Sequence, residues 1–440
     1  MDKLSVPREL SRRDFIKLGG GLLGAVTSSD LLSKVLLQPE KVTESVSLGP
    51  VAEAASPAQL GPPDLHLAAS DGWIYLPPDK TVPPYHPDDV APDPFTTYIF
   101  SFRDVTGLSD PLVQAQKMKA QVAAPLFWLD EGVDFTLKLT NLGLQIRPDL
   151  IDSHTLHFHG FRNAIPIFDG EPLSSVAVPI IRDLTYFYRP RDPGTYMYHC
   201  HFEETEHVHM GMVGPVFIRP ELNALNPGHK YAYNDPATEY DREFVMFLHE
   251  VWTEAHWCDS HIQLPDWSEY RPEFWLLNGR VYPDTLAPHG GGTDPITGDL
   301  IPPAGHPELQ YQPVSSLVQA NEGDRVLLRF INLGFIEQSM TLAGIRMRVV
   351  GKDATLLRGR NGSDLGYVTQ TVSIGVGESV DAIFVAPSYH GPGSYDTYLL
   401  YNRNYGRLSN GGYSGYGGQM TEVRVFPSST PLPPQTSPNM

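Results

Sequence analysis

Tyr198-His199-Cys200-His201-Phe202-Glu203-Glu204-Thr205-Glu206-His207-Val208-His209-Met210-Gly211-Met212 decides how this chain is read. A cysteine stands between two histidines, and two further histidines and two methionines follow within a short loop. Upstream, His154-Thr155-Leu156-His157-Phe158-His159-Gly160 again alternates histidine with apolar residues. Seven of the sixteen histidines fall in these two segments. Successive side chains on a strand point to opposite faces. His199 and His201 therefore share one face and Cys200 takes the other. By the same rule His157 and His159 share a face, and His154 has the opposite parity. One β-sandwich can then hold His154 and Cys200 inside and project four histidines outward.

The flanking sequence supports a sandwich. Gly and Pro are abundant, at 39 and 41 residues of 440, and long segments alternate apolar with polar positions. Together these predict an all-β chain rich in turns. Two blocks repeat one plan. Residues 94–220 contain Gly132-Val133-Asp134-Phe135-Thr136-Leu137-Lys138-Leu139-Thr140-Asn141-Leu142-Gly143. Residues 240–427 contain Gly323-Asp324-Arg325-Val326-Leu327-Leu328-Arg329-Phe330-Ile331-Asn332-Leu333-Gly334. Pro193-Gly194-Thr195-Tyr196 and Pro392-Gly393-Ser394-Tyr395 recur later in each. Two tandem Greek-key β-sandwich domains are predicted. One short helix is expected over Asp110–Lys119, and an irregular loop over Ala287–Pro313. Residues 55–93 read as a Pro-rich linker arm and 428–440 as a disordered tail.

At the N-terminus, Ser11-Arg12-Arg13-Asp14-Phe15-Ile16-Lys17 precedes a mild apolar run from Leu18 to Val26. Residues 1–54 resemble a twin-arginine signal, which implies export in folded form to the periplasm or the exterior. The run is too short and Gly-rich for a membrane span. A formal charge of −19 argues against nucleic acid as a partner.

Two imidazoles, a thiolate and a weak axial thioether make a blue-copper electron-transfer site. The inner histidine and cysteine, with a loop histidine and methionine, supply that set. An all-imidazole outer set suits further copper or another transition metal. Structural zinc is the rival, but it favours closed Cys/His tetrahedra without an axial Met. Cys258 reads as a buried free thiol, and His249, His256 and His261 as structural.

These motifs resemble those of the multicopper oxidase family. Its members carry a His-x-x-His-x-His-Gly segment and a His-Cys-His segment followed by a further His and a Met, Leu or Phe. The resemblance implies cupredoxin domains, with His154, Cys200 and His207 as type 1 copper ligands and Met212 axial. The step from Cys200 to the next ligand is two residues longer than usual, so His209 competes with His207. His207 keeps the family's five-residue step to Met212 and is preferred, which also disfavours Met210. The resemblance further implies that His157, His159, His199 and His201 belong to a type 2/type 3 copper cluster reducing dioxygen. The reductant would be a small molecule or metal ion.

That cluster uses four His-x-His pairs, and this chain shows two. The matching second-block segments, Gln338-Ser339-Met340-Thr341-Leu342-Ala343-Gly344 and Tyr398-Leu399-Leu400, hold no such pairs. The second domain is therefore expected to be a copper-free scaffold. A second copy of the chain or a redox partner protein would supply the remainder. Two alternatives are an electron-transfer or copper-binding protein without oxidase turnover and an enzyme resembling copper nitrite reductase. In the latter, His157 would replace the catalytic Asp and His201 would be extra.

Overall fold

The computed structural model describes residues 62–77, 89–92, 95–162, 164–411 and 415–440. The expected leader lies outside the described residues. The first domain is built from β1 (Leu65–Ile74), β2 (Thr97–Asp104), β3 (Phe127–Asp130), β4 (Phe135–Asn141), β5 (His157–His159), β6 (Asp183–Tyr188), β7 (Gly194–His199) and β8 (Val213–Arg219). These form two four-stranded sheets, ordered β2-β1-β4-β6 and β3-β8-β7-β5. One core joins them, from Leu67, Phe100 and Leu139 of the first sheet to Tyr198 and Ile218 of the second. Helix α1 (Asp110–Gln114) is shorter than the expected segment, and α2 (Glu204–Met210) lies in the loop after Cys200.

Residues 65–74 correct the sequence reading. Composition places them in the Pro-rich arm, yet all ten are buried in β1. This strand pairs antiparallel with β2 and parallel with β4. Both of its faces are covered, so its sequence lacks the alternation that marks a half-exposed strand. Its buried Asp71 is satisfied by Tyr98 Oη at 2.7 Å and by the backbone N–H groups of Gln145 and Ile146.

After α3 (Glu221–Leu225), a small pair β9 (Lys230–Tyr231) and β10 (Glu239–Tyr240) leads into the second domain. There β11 (Arg242–Val251) is followed by α4 (Thr253–Ser260), β12 (Phe274–Leu277), β13 (Val318–Asn321), β14 (Arg325–Asn332), β15 (Gln338–Leu342), β16 (Met347–Lys352), β17 (Thr355–Leu356), β18 (Tyr367–Thr369), β19 (Thr371–Ile374), β20 (Glu378–Val385), β21 (Asp396–Asn402) and β22 (Met420–Phe426). Seven of these strands form a sheet around β11, β14, β20 and β16, and five form the facing sheet β13-β22-β21-β15-β19. The internal repeat has a physical reason. Asn141 and Asn332 end β4 and β14, and each accepts from the glycine two residues on while its amide donates to carbonyls of neighbouring loops.

The tail also departs from expectation. Asn439 accepts from Val245 N at 2.8 Å and donates to the carbonyls of Val245 and Ser315, while Gln435 accepts from Glu243 N. The first half of β11 has no strand on that side, because β12 pairs only from Leu248 onward. Tail side chains thus satisfy an edge that would otherwise be open. Composition marked the tail as disordered, but two amides decide its placement.

A buried polar network fixes the two domains together at β7, the strand leading into Cys200. Thr195 donates to Asp381 and accepts from Arg329, and Tyr233 donates to the other Asp381 oxygen. Arg329 also bonds Glu243, which receives Arg219 and Tyr240, and its guanidinium lies 4.2 Å over the Phe217 ring. Removing one member of a buried ion pair leaves an uncompensated charge and costs about 3–5 kcal/mol. Arg329→Ala is expected to lower stability by about that amount in urea unfolding, whereas Arg348→Ala, at an exposed pair, stays within about 1 kcal/mol.

Candidate metal centre

The His154 segment is held by one two-way bridge, His154 N to Val178 O at 3.0 Å and Val178 N to His154 O at 2.8 Å. Cys200 follows the end of β7, and its N–H donates to the Met212 carbonyl at 3.1 Å. The loop between them closes through α2, whose C-cap Gly211 adopts φ 118° and turns the chain into β8. A Cβ at Gly211 would meet Val122 Cγ2 at 2.9 Å and Phe100 O at 3.0 Å, so glycine suits both the turn and the close approach.

This folding brings His154, Cys200 and His207 together, all fully buried. Cys200 Sγ lies 3.3 Å from His207 Nδ1 and 3.8 Å from His154 Nδ1. The three donor atoms lie within 4.8 Å of one another. Met212 is fully buried in the same core as Cys200, and its N–H donates to the His207 carbonyl at 2.9 Å. Met210 is in that core too, as the last residue of α2. His209 is not with them. Its ring packs against His249, His256, Trp267, Tyr270 and Phe335, and its Nε2 accepts from Trp252 N at 3.1 Å.

The surroundings orient the donors. His207 Nε2 donates to Asp152 Oδ2 at 3.1 Å, which turns Nδ1 toward the sulfur. Thr155 N–H points at Cys200 Sγ from 3.5 Å, and Thr155 Oγ1 accepts from His201 N. Burial drives the His154 imidazolium well below its usual range, with His207 adding to the effect. Burial pulls His207 down as well, but Cys200 and then Asp152 outweigh it and leave His207 raised to about 10. His154 Nε2 is buried with no hydrogen-bond partner among the described residues. A dry pocket with one sulfur and two imidazole nitrogens fits a soft or borderline transition metal, copper included.

The outer histidines also assemble. The His157 ring lies 5.3 Å from that of His199 and 4.9 Å from that of His201, and His159 lies 6.2 Å from His199. His157 Nδ1 donates to the Asp169 carbonyl at 2.7 Å, and His199 Nδ1 to the Cys200 carbonyl at 2.9 Å. Each keeps Nε2 for a ligand, the usual way a metal-binding imidazole is fixed. His201 Nδ1 faces Glu204 Oε2 at 2.8 Å. Burial lowers His199 to about 3. His159 is exposed, His157 and His201 half-buried, so the set opens outward.

The second domain presents no matching imidazoles. Gly377 lies so close to His159 that a Cβ there would approach its Cε1 to 2.3 Å, and Asp353 and Ser379 line the adjoining cavity. In β15 and β21, Met340, Leu342 and Leu400 are core residues. Among the described residues, groupings of metal-ligand type occur only in the first domain. Both cysteines are free thiols.

Residues 106–223 match the family model described as Multicopper oxidase. That stretch, which holds both histidine segments, is similar to a multicopper oxidase domain. Two curated relatives agree. Laccase-3 of Thanatephorus cucumeris is 24% identical over 269 residues, 60% of this chain and 39% of its own length. Laccase abr2 of Aspergillus fumigatus is 32% identical over 122 residues, 27% of this chain and 19% of its own. The chain thus spans well under half the length of these relatives. Among solved structures, the Blue Copper Oxidase from Nitrosomonas europaea matches with TM-score 0.52 at 19% identity, over 82% of this chain and 85% of that one. That likeness shows the fold, two tandem cupredoxin-type sandwiches.

Sequence reasoning missed Asp152, which no motif marks, and the cluster around His209. In that cluster Tyr270 Oη donates to Glu250 Oε1 at 2.9 Å, and Glu250 is fully buried in β11. Burial raises the Glu250 carboxyl from 4.5 to about 7, against hydrogen bonds from Phe335 and Tyr270 and the Arg407 charge. A raised folded-state pKa gives stability that is full below about 4.5 and lost as pH climbs through about 7. At about 1.4 kcal/mol per unit this is roughly 3 kcal/mol. Wild type is expected to lose about that much between pH 5 and 8 relative to Glu250→Gln in paired urea titrations. For the metal pocket, His207→Ala is expected to abolish tight copper binding there, while His209→Ala retains it, as read by copper titration of the purified chain.

Proposed function

We propose that this chain is a copper-dependent oxidoreductase of multicopper oxidase type. His154, Cys200 and His207 would hold a type 1 copper with Met212 as axial thioether, and His157, His159, His199 and His201 would hold copper of type 2/type 3. Single electrons would come from a small-molecule or metal-ion reductant and end on dioxygen. The carrying observation is that an inner donor stands between two outer ones in consecutive residues, Cys200 between His199 at the end of β7 and His201. When bound, copper would supply one-electron redox chemistry and a Lewis acid for oxygen.

The protein's own residues have definable parts in this. Cys200 gives the thiolate, and the Met212 carbonyl fixes its backbone N–H. Asp152 takes the outer proton of His207 and holds its ring. The peptide units joining Cys200 to His199 and His201 connect the inner site to the outer one. Phe100, Leu156 and Tyr186 are fully buried in the surrounding core and exclude water.

The outer face holds half of the ligand set its family would use. We infer that a second copy of the chain covers it. Ile165, Ile167 and Leu173 are exposed on the loop whose Asp169 carbonyl fixes His157, and Leu173 is 95% exposed. Exposed apolar side chains beside an open polar cluster mark an interaction surface. A second reading, a type 1 copper electron-transfer protein without oxidase turnover, is favoured by the cavity beside His159, to which the second domain brings Gly377, Asp353 and Ser379 and no imidazole. Export in folded form is proposed on Ser11–Lys17 alone. No described helix is long and apolar enough to cross a membrane.

Copper-loaded protein is expected to hold more than one copper per chain, to be blue, and to take up oxygen with a reducing substrate. Cys200→Ser should lose the blue band and keep outer copper. One copper per chain with no oxygen uptake would overturn the oxidase reading in favour of electron transfer. A blue Cys200→Ser protein would overturn the inner-site assignment.

A further inference from the structure

The His207 ring has no exposed atom of its own, although the exposed Glu203 stands beside it and Asp152. It is fully buried, and its outer nitrogen is committed to Asp152, itself 7% exposed. Two residues along α2, His209 offers another route. Its ring lies 5.3 Å from that of Tyr270 and 5.5 Å from that of Trp267. Both are half-buried and reach the surface. Buried Trp252 packs edge-on against both, at 5.6 and 5.7 Å.

Tyr270 differs from the tryptophans in its hydrogen bonding. Its hydroxyl donates to Glu250 Oε1 at 2.9 Å and lies 3.5 Å from His209 Nδ1. No ion pair meets Glu250 among the described residues, so its carboxylate is a buried acceptor beside a phenol. A phenol that gives up an electron becomes a strong acid, and its oxidation needs a base already in hydrogen-bond contact.

We propose that electrons reach the inner site through Tyr270, with Glu250 taking and then returning the phenolic proton. The inference rests on copper at His154, Cys200 and His207. Tyr270 loses one electron, by way of His209 and the backbone between His209 and His207, to the oxidised copper. Its proton moves to Glu250 Oε1, leaving a neutral phenoxyl radical and a protonated carboxyl. An outside one-electron reductant fills the radical, Glu250 gives the proton back, and phenol and carboxylate are restored. One electron has passed from reductant to copper, and no proton is consumed.

The test is stopped-flow reduction of the copper-loaded full chain by hexaammineruthenium(II), followed by loss of the visible copper–thiolate band. Wild type, Tyr270→Phe and Glu250→Gln are compared. Copper content and band position are expected to be equal in all three, and both variants to be slowed by about tenfold or more. Wild type should show a solvent deuterium effect that Glu250→Gln removes, which a purely structural role would not produce. Unchanged rates in Tyr270→Phe overturn the proposal. A wild type without the band overturns the copper reading instead. The tyrosine assignment is then read on the metal-free chain oxidised by hexachloroiridate(IV). There a tyrosyl radical signal is expected in wild type and not in Tyr270→Phe, and an equal signal in both overturns it.

Discussion

Cys200 turns its thiol into the core of the first domain, while the residues on either side turn their imidazoles to the outer face. Two donor sets of different chemistry are thereby fixed at a separation no side-chain rearrangement can change. The rest of the first domain serves this alternation. The Met212 carbonyl holds the Cys200 backbone, and Thr155 faces its sulfur. β7 itself is pinned to the second domain through Thr195. The Arg329 network beneath that strand is costly to desolvate and is satisfied only in this arrangement. Its role is registration of the strand that carries the site.

The second domain contributes position in place of ligands. Its strands repeat the plan of the first, down to the asparagine that ends β4 and β14, but in the segments that correspond to the histidine motifs Met340, Leu342 and Leu400 are core residues. β11, α4 and the Trp252 between them instead set His249, Trp252 and His256 against the helix that carries His207 and His209.

Much of the candidate site was legible because strand parity and ligand spacing are properties of sequence. The sorting of Cys200 from His199 and His201 needed only alternation, whereas separating His207 from His209 took the five-residue step that the family resemblance implies. Other features were not legible. Asp152 reaches His207 across 55 positions of chain, and nothing near it in sequence marks that contact. β1 was hidden by the prolines around it and by burial on both faces, which erases periodicity. The tail was hidden by composition, since Gln435 and Asn439 act through single side-chain amides. Tyr270 and Glu250 are unremarkable until β11 and the segment after α4 are brought together.

The tail has a practical consequence. Asn439 and Gln435 act as a stopper on the free flank of β11, borrowing backbone groups that another strand would otherwise claim. Clipping the last six residues, or fusing a tag that pulls them away, would unsheathe the backbone of Glu243 and Val245. Such a flank recruits strands from other molecules. Preparations altered at that end should therefore clump before they unfold, and their loss of solubility would report a lost cover rather than a damaged copper domain.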